Sequence, residues 1–153
     1  MKEQRIVDIT KELLQRIGFL NPLVEVFFDG EQKLQVRVRI KEDVGVLIGR
    51  GGETLRALQH LLLLIVSSKT EIKFGPGKFV FDVNDYFKER EGHLISMAKN
   101  AAHEAKETKM ARELEVMPAS ERRIIHVALA DDTHIKTEST GKKGERRVVI
   151  RPV

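Results

Sequence analysis

No cysteine occurs in the chain, which excludes disulfide bonds and thiolate metal sites and fits a reducing compartment. Aromatic residues make up only 5%, which argues against a sheet platform that stacks bases on exposed rings. The longest apolar run, Leu61 to Val66, is far too short to span a bilayer. The N-terminus, Met1-Lys2-Glu3-Gln4-Arg5, is charged and leads into an amphipathic pattern, unlike a signal peptide. Internal repeats and long low-complexity segments are also lacking. These absences point to a cytoplasmic protein without membrane insertion. What is present is ordinary globular material: 41% hydrophobic and 33% charged residues over 153 positions, enough for one domain or two small ones. The net charge of +4 suits a polyanion partner, but many unrelated proteins share it.

Ile6, Ile9, Leu13, Leu14 and Ile17 recur at helical spacing, and Gly18 then Asn21-Pro22 end the helix. Leu23 to Phe28 reads as a strand apolar on both sides, followed by an Asp29-Gly30 turn. In the next strand Leu34, Val36, Val38 and Ile40 alternate with Lys33, Gln35, Arg37, Arg39 and Lys41. That pattern gives one buried face and one basic, wet face, either a solvated sheet surface or a nucleic-acid contact. Val44, Leu47 and Ile48 suggest a short helix. Beyond a glycine turn, a second helix should carry Leu55, Leu58, Leu61, Leu62 and Ile65 inward, with dimerisation as the lesser use of its wide apolar face. Phe79 to Val83 reads as a third strand. Asn84 or Asp85 can cap a long helix with a stripe of Leu94, Ala98, Ala101 and Ala105. Glu113 to Met117 reads as a short strand, Pro118 and Glu121 as the first turn of a helix, and Asp131-Asp132 as a helix-end turn. Strands at His134–Glu138 and Arg147–Arg151 follow. The domain boundary should lie near Val83-Asn84.

The most informative stretch is Ile48-Gly49-Arg50-Gly51-Gly52. A helix N-terminus offers unpaired N–H groups and partial positive charge, and glycines let a phosphate approach them. The P-loop pattern fails because neither Gly45 nor Gly49 begins it, and the dinucleotide fingerprint fails because Thr54 stands where its third glycine belongs. What remains is G-x-x-G between two helices, the loop by which KH modules clamp nucleic acid. Four letters are weak alone; the helix–strand–strand–helix–helix–strand order around them is what makes the signal strong.

Arg122 and His126 sit about 40° apart on a helix, with Ile124, Ile125 and Ala128 roughly opposite, so the pair should face outward. Arginine offers a fork matched to phosphate, and histidine can donate a hydrogen bond or stack on a base. Such i, i+4 neighbours are common on surfaces. Arg123 beside them, the basic turn Gly141-Lys142-Lys143-Gly144 and the upstream glycine turn favour the nucleic-acid reading. Catalysis has little support. His103-Glu104 lacks the second histidine of a zinc-protease helix, the five histidines show no ligand spacing, and Ser120 near His126 has no triad context. No cofactor is expected.

With these motifs in order, the chain resembles the bacterial Jag proteins. In that family a KH domain is followed by a domain named for its Arg-x-x-x-His signature (R-3-H). The matching pieces run from Ile48-Gly49-Arg50-Gly51-Gly52 through Asp82-Val83, Tyr86 and Arg90. They continue through Met117-Pro118, Glu121-Arg122-Arg123 and His126, and end with Thr137, Ser139, Gly141 and Arg147-Val148-Val149-Ile150. The resemblance implies an α+β protein of two small α/β-sandwich domains: a prokaryotic-type (type II) KH fold over residues 1–83 and an R-3-H fold over 84–153. It implies single-stranded RNA binding, with single-stranded DNA as an alternative ligand, through Ile48, Gly49, Arg50, Gly51, Gly52, Arg122, Arg123 and His126, to which this sequence's own basic turn adds Lys142 and Lys143. It further implies post-transcriptional control touching cell envelope growth and division, and pairing with a small KH-only protein or a second copy. A protein-interaction scaffold and a ribosome-assembly factor are the alternative readings. Two features depart from the family. The chain starts at its KH helix where many members carry an N-terminal extension, and its Gly141–Gly144 turn is more basic than usual.

Overall fold

Ile6, Ile9 and Leu14 share one buried face of the first helix, α1 (Lys2–Ile17), in a computed structural model that describes residues 1–153. Gly18 ends it at φ 117°, its N–H reaching the Leu14 and Gln15 carbonyls, as the glycine signal predicts. The chain divides into two compact units, Met1–Tyr86 and Phe87–Val153, just past the expected boundary.

In the first unit β1 (Leu23–Phe28) pairs antiparallel with β2 (Leu34–Arg39), and β2 pairs parallel with β3 (Phe79–Val83). Leu34, Val36, Val38, Phe79, Phe81 and Val83 form the buried face of this sheet. Parallel strands need a long crossover. It is supplied by α2 (Gly45–Ile48), a single 3₁₀ turn (Arg50–Gly52) and α3 (Glu53–Thr70). On α3 the buried residues are Leu55, Leu62 and Val66, whereas Leu61 and Leu64 are 45% and 54% exposed. The expectation that Leu61 faces inward therefore fails. At about 100° per residue, one stripe cannot hold every leucine of this run.

One expectation is narrowed near the unit boundary and another is corrected beyond it. Of the two capping candidates, Asn84 and Asp85, Asn84 uses its side chain on Ile40: its carbonyl accepts the Ile40 N–H (2.9 Å) and its amide donates to the Ile40 carbonyl (3.0 Å). The long helix α4 (Tyr86–Thr108) buries Leu94, Ala98, Ala102 and Ala105, with Ala101 on the flank. The strand expected at 113–117 shrinks to β4 (Arg112–Glu113); Leu114 and Met117 then donate singly to the Val148 and Arg146 carbonyls. Pro118 opens α5 (Ala119–Ala128). The hairpin β5 (Ile135–Thr140) and β6 (Arg147–Pro152) completes an antiparallel sheet of order β4-β6-β5. Leu94, Ile125, Leu129, Val148 and Ile150 anchor the core of this unit. Glu121 is buried but paired: its carboxylate accepts from Arg90 at 3.0 and 3.1 Å, tying α5 to α4.

Candidate nucleic-acid interface

The glycine turn joins the end of α2 to the start of α3. Gly49 has φ 70°, ψ −177°, a region essentially reserved for glycine, and a Cβ there would collide with the Thr54 side chain. Gly52 has φ 78° and is buried; a Cβ there would lie 2.7 Å from the Tyr86 ring. Two of the glycines are therefore demanded by the turn itself, a reason distinct from ligand access. Hydrogen bonds sort the donors further. The Gly49 N–H reaches the Gly45 carbonyl (2.9 Å), the Gly52 N–H the Gly49 carbonyl (3.3 Å), and the Glu53 N–H the Arg50 carbonyl. Arg50 and Gly51 are left at the tip, with the Arg50 side chain exposed and Ile48 half-buried behind it. Gly51 sits at φ 56°, ψ 24°, and its carbonyl is occupied by the Arg56 guanidinium at 2.7 Å.

In the second unit Ile125 anchors α5 in the core, and Arg122 and His126 are half-buried rather than freely outward. The reason is β5. The His126 ring bonds Thr137 Oγ1 through Nδ1 (2.7 Å) and Ser139 Oγ through Nε2 (2.9 Å). Residues 135, 137 and 139 share one face of β5; Ile135 fills the core and the two hydroxyls line its rim. Burial first, and the Arg122 charge second, hold the His126 pKa below its ordinary 6.5. The resemblance includes Thr137 and Ser139 but gives them no role; their i, i+2 spacing is the only sequence signal for a shared face. Arg123 is exposed, and the buried Nε of Arg122 has no hydrogen-bond partner. Lys142 and Lys143 are exposed on the β5–β6 turn. Gly141 at φ 108° makes that turn, since a Cβ would come within 2.6 Å of the Glu145 carbonyl. Arg146 holds it by donating to the Gly141 and Ser139 carbonyls, each at 3.0 Å.

Among the arginines, pairing separates these sites from most of the basic surface. On the wet face of β2 and its flanks, Lys33 pairs with Glu31, Arg37 lies 4.8 Å over the Phe27 ring and Arg39 meets Asp85 at 2.6 Å. That pairing favours the solvated-surface reading of this face. Every arginine except Arg5, Arg50, Arg122 and Arg123 has a carboxylate, carbonyl or ring partner. His60, His93, His103 and His134 are exposed, and no group of three or more potential metal ligands converges. No helix is long and apolar enough to cross a membrane.

Residues 4–74 match the family model described as KhpA/KhpB, KH domain, and residues 93–152 match the R-3-H domain model. The RNA-binding protein KhpB of Clostridium symbiosum is 33% identical over 152 residues, covering 97% of this chain and 67% of the relative. The RNA-binding protein KhpB of Lactiplantibacillus plantarum is 35% identical over 106 residues, 69% of this chain and 32% of the relative. Its Bacillus subtilis counterpart is 36% identical over 126 residues, 78% of this chain and 58% of the relative. The chain thus aligns with between about a third and two thirds of the length of these relatives.

Proposed function

This chain belongs to the KhpB (Jag) family, a KH domain followed by an R-3-H domain, and from that premise we propose that it is a non-catalytic protein that binds single-stranded RNA at two separate grips. The observation that carries the reading is the pattern of unpaired arginines: of the four without a protein partner, Arg50, Arg122 and Arg123 fall in the two motifs, and only Arg5, on α1, lies outside them. An arginine fork without a carboxylate is available for phosphate. At the first grip the Arg50 and Gly51 N–H groups, the Arg50 side chain and the start of α3 hold the backbone of about four nucleotides, with Ile48 beside the bases. At the second, Arg122, Arg123 and the His126 cluster hold another short segment, assisted by Lys142 and Lys143.

The test is the double substitution Arg50→Asp, Gly51→Asp, assayed by fluorescence anisotropy with labelled RNA and DNA single strands. Gly51 is in the left-handed region that aspartate tolerates, so the turn should survive. Affinity should fall at least tenfold through repulsion and lost approach; parent-like binding sinks the first grip. Comparing the two labelled strands decides between RNA and single-stranded DNA. The role in post-transcriptional control of envelope growth and division, and the cytoplasmic location, rest on family likeness; crosslinking and sequencing of bound RNA from cells tests them.

A second reading is favoured by the exposed Leu61 and Leu64 on α3. They suit a KH-to-KH contact with a small KH-only protein, in keeping with a family model named for both KhpA and KhpB, or with a second copy.

A further inference from the structure

We infer that His126 is a positioning residue, and that the Thr137 and Ser139 hydroxyls together with Arg122 make the direct contacts to RNA at the second grip. The inference rests on the proposed RNA-binding reading and deepens it. Both ring nitrogens of His126 are already hydrogen-bonded, at 2.7 and 2.9 Å, so the ring has no polar atom to offer a ligand without breaking a bond. A neutral imidazole carries one donor and one acceptor nitrogen. It therefore gives the two hydroxyls opposite duties. One accepts the ring N–H and keeps its own proton free to donate; the other donates to the ring and keeps its lone pairs free. Arg122 lies one helical turn before His126, with its buried Nε unpartnered, and supplies the charge. Ser139 is fixed from two sides: its hydroxyl by His126 and its carbonyl by Arg146, which also holds Gly141 of the basic turn. One ring thus orders a donor and an acceptor at the rim of an edge strand and connects them to the Lys142-Lys143 turn.

The test is a mutant cycle in the full chain, read as affinity for a labelled single-stranded RNA. Thr137→Val and Ser139→Ala should each weaken binding about three- to tenfold, and Thr137→Ser should restore most of it. His126→Phe should cost about as much as the Thr137→Val/Ser139→Ala double variant. It should cost nothing further when added to that double variant, because all three substitutions remove the same contacts. His126→Gln, whose amide also presents a donor nitrogen and an acceptor oxygen, should rescue part of the loss. If His126→Phe is as harmful in the double variant as in the parent, the ring itself touches RNA and the inference fails. It also fails if Thr137→Val and Ser139→Ala leave affinity unchanged while Arg122→Ala reduces it. If neither Arg122→Ala nor the Arg50 and Gly51 substitutions reduce binding, the RNA-binding reading itself is lost. Ring nitrogen chemical shifts of His126 should report a single tautomer in the parent and a mixture in Ser139→Ala, a change that loss of packing alone would not produce.

Discussion

Adding one methyl group at Gly52 puts a carbon 2.7 Å from the Tyr86 ring, in a backbone conformation that L-residues rarely adopt. Gly52→Ala should therefore destabilise the first unit by about 1–3 kcal/mol, measured by urea unfolding, through strain rather than through any ligand. His126 gives the second unit a pH dependence. Its folded pKa is depressed, so as pH falls through 6.5 the unfolded chain takes up a proton that the folded chain still refuses. The stability contribution is complete above 6.5 and is lost on acidification until the folded value is passed. Unfolding of the parent and of His126→Gln at about pH 7.5 and about pH 5.5 should show the larger acid-induced loss in the parent. Equal losses would mean that the ring is not shielded. The sequence placed the glycine turn and the Arg122–His126 pair, but not what holds them. The collision partners of Gly49 and Gly52, and the hydroxyls under His126, come from tertiary approach, which spacing along the chain does not encode.

Among the elements, β2 and β3 were the most legible. Strict alternation from Leu34 to Val38 leaves one choice of buried face, and the run Phe79–Val83 is bracketed by a Gly-Pro-Gly loop. The long apolar run of α3 was the least legible, because leucines on every side do not say which way the helix turns. The far end of β4 is not legible in the sequence, because after Glu113 only single N–H groups, those of Leu114 and Met117, still reach carbonyls of Val148 and Arg146. The outward leucines of α3 lead to a direct expectation. Leu61→Lys with Leu64→Lys should change monomer stability by no more than about 1 kcal/mol, since each side chain is about half exposed. The same variant should abolish any self-association or KH-only partner binding seen by light scattering. A partner complex of unchanged mass would exclude this face as the contact.

At the scale of the molecule, a net charge of only +4 gives little general attraction for a polyanion. Binding should then depend on the cations clustered at the two motifs, and salt should reveal how many of them meet phosphate. With Arg50, Arg122, Arg123, Lys142 and Lys143 on phosphates, log affinity should fall with log salt at a slope of about −3.5, and Arg50→Ala should reduce its magnitude by about 0.7. A nearly flat slope would rule out phosphate as the main contact. Because the outer glycines of the turn answer to Thr54 and Tyr86, purifying selection on architecture is enough to preserve them. A homologue could retain both, carry acidic side chains at the two central letters and still fold while its first grip lets the strand go. Ancestry can therefore be read from the outer pair of the signature, and the competence of the proposed first grip only from the inner pair.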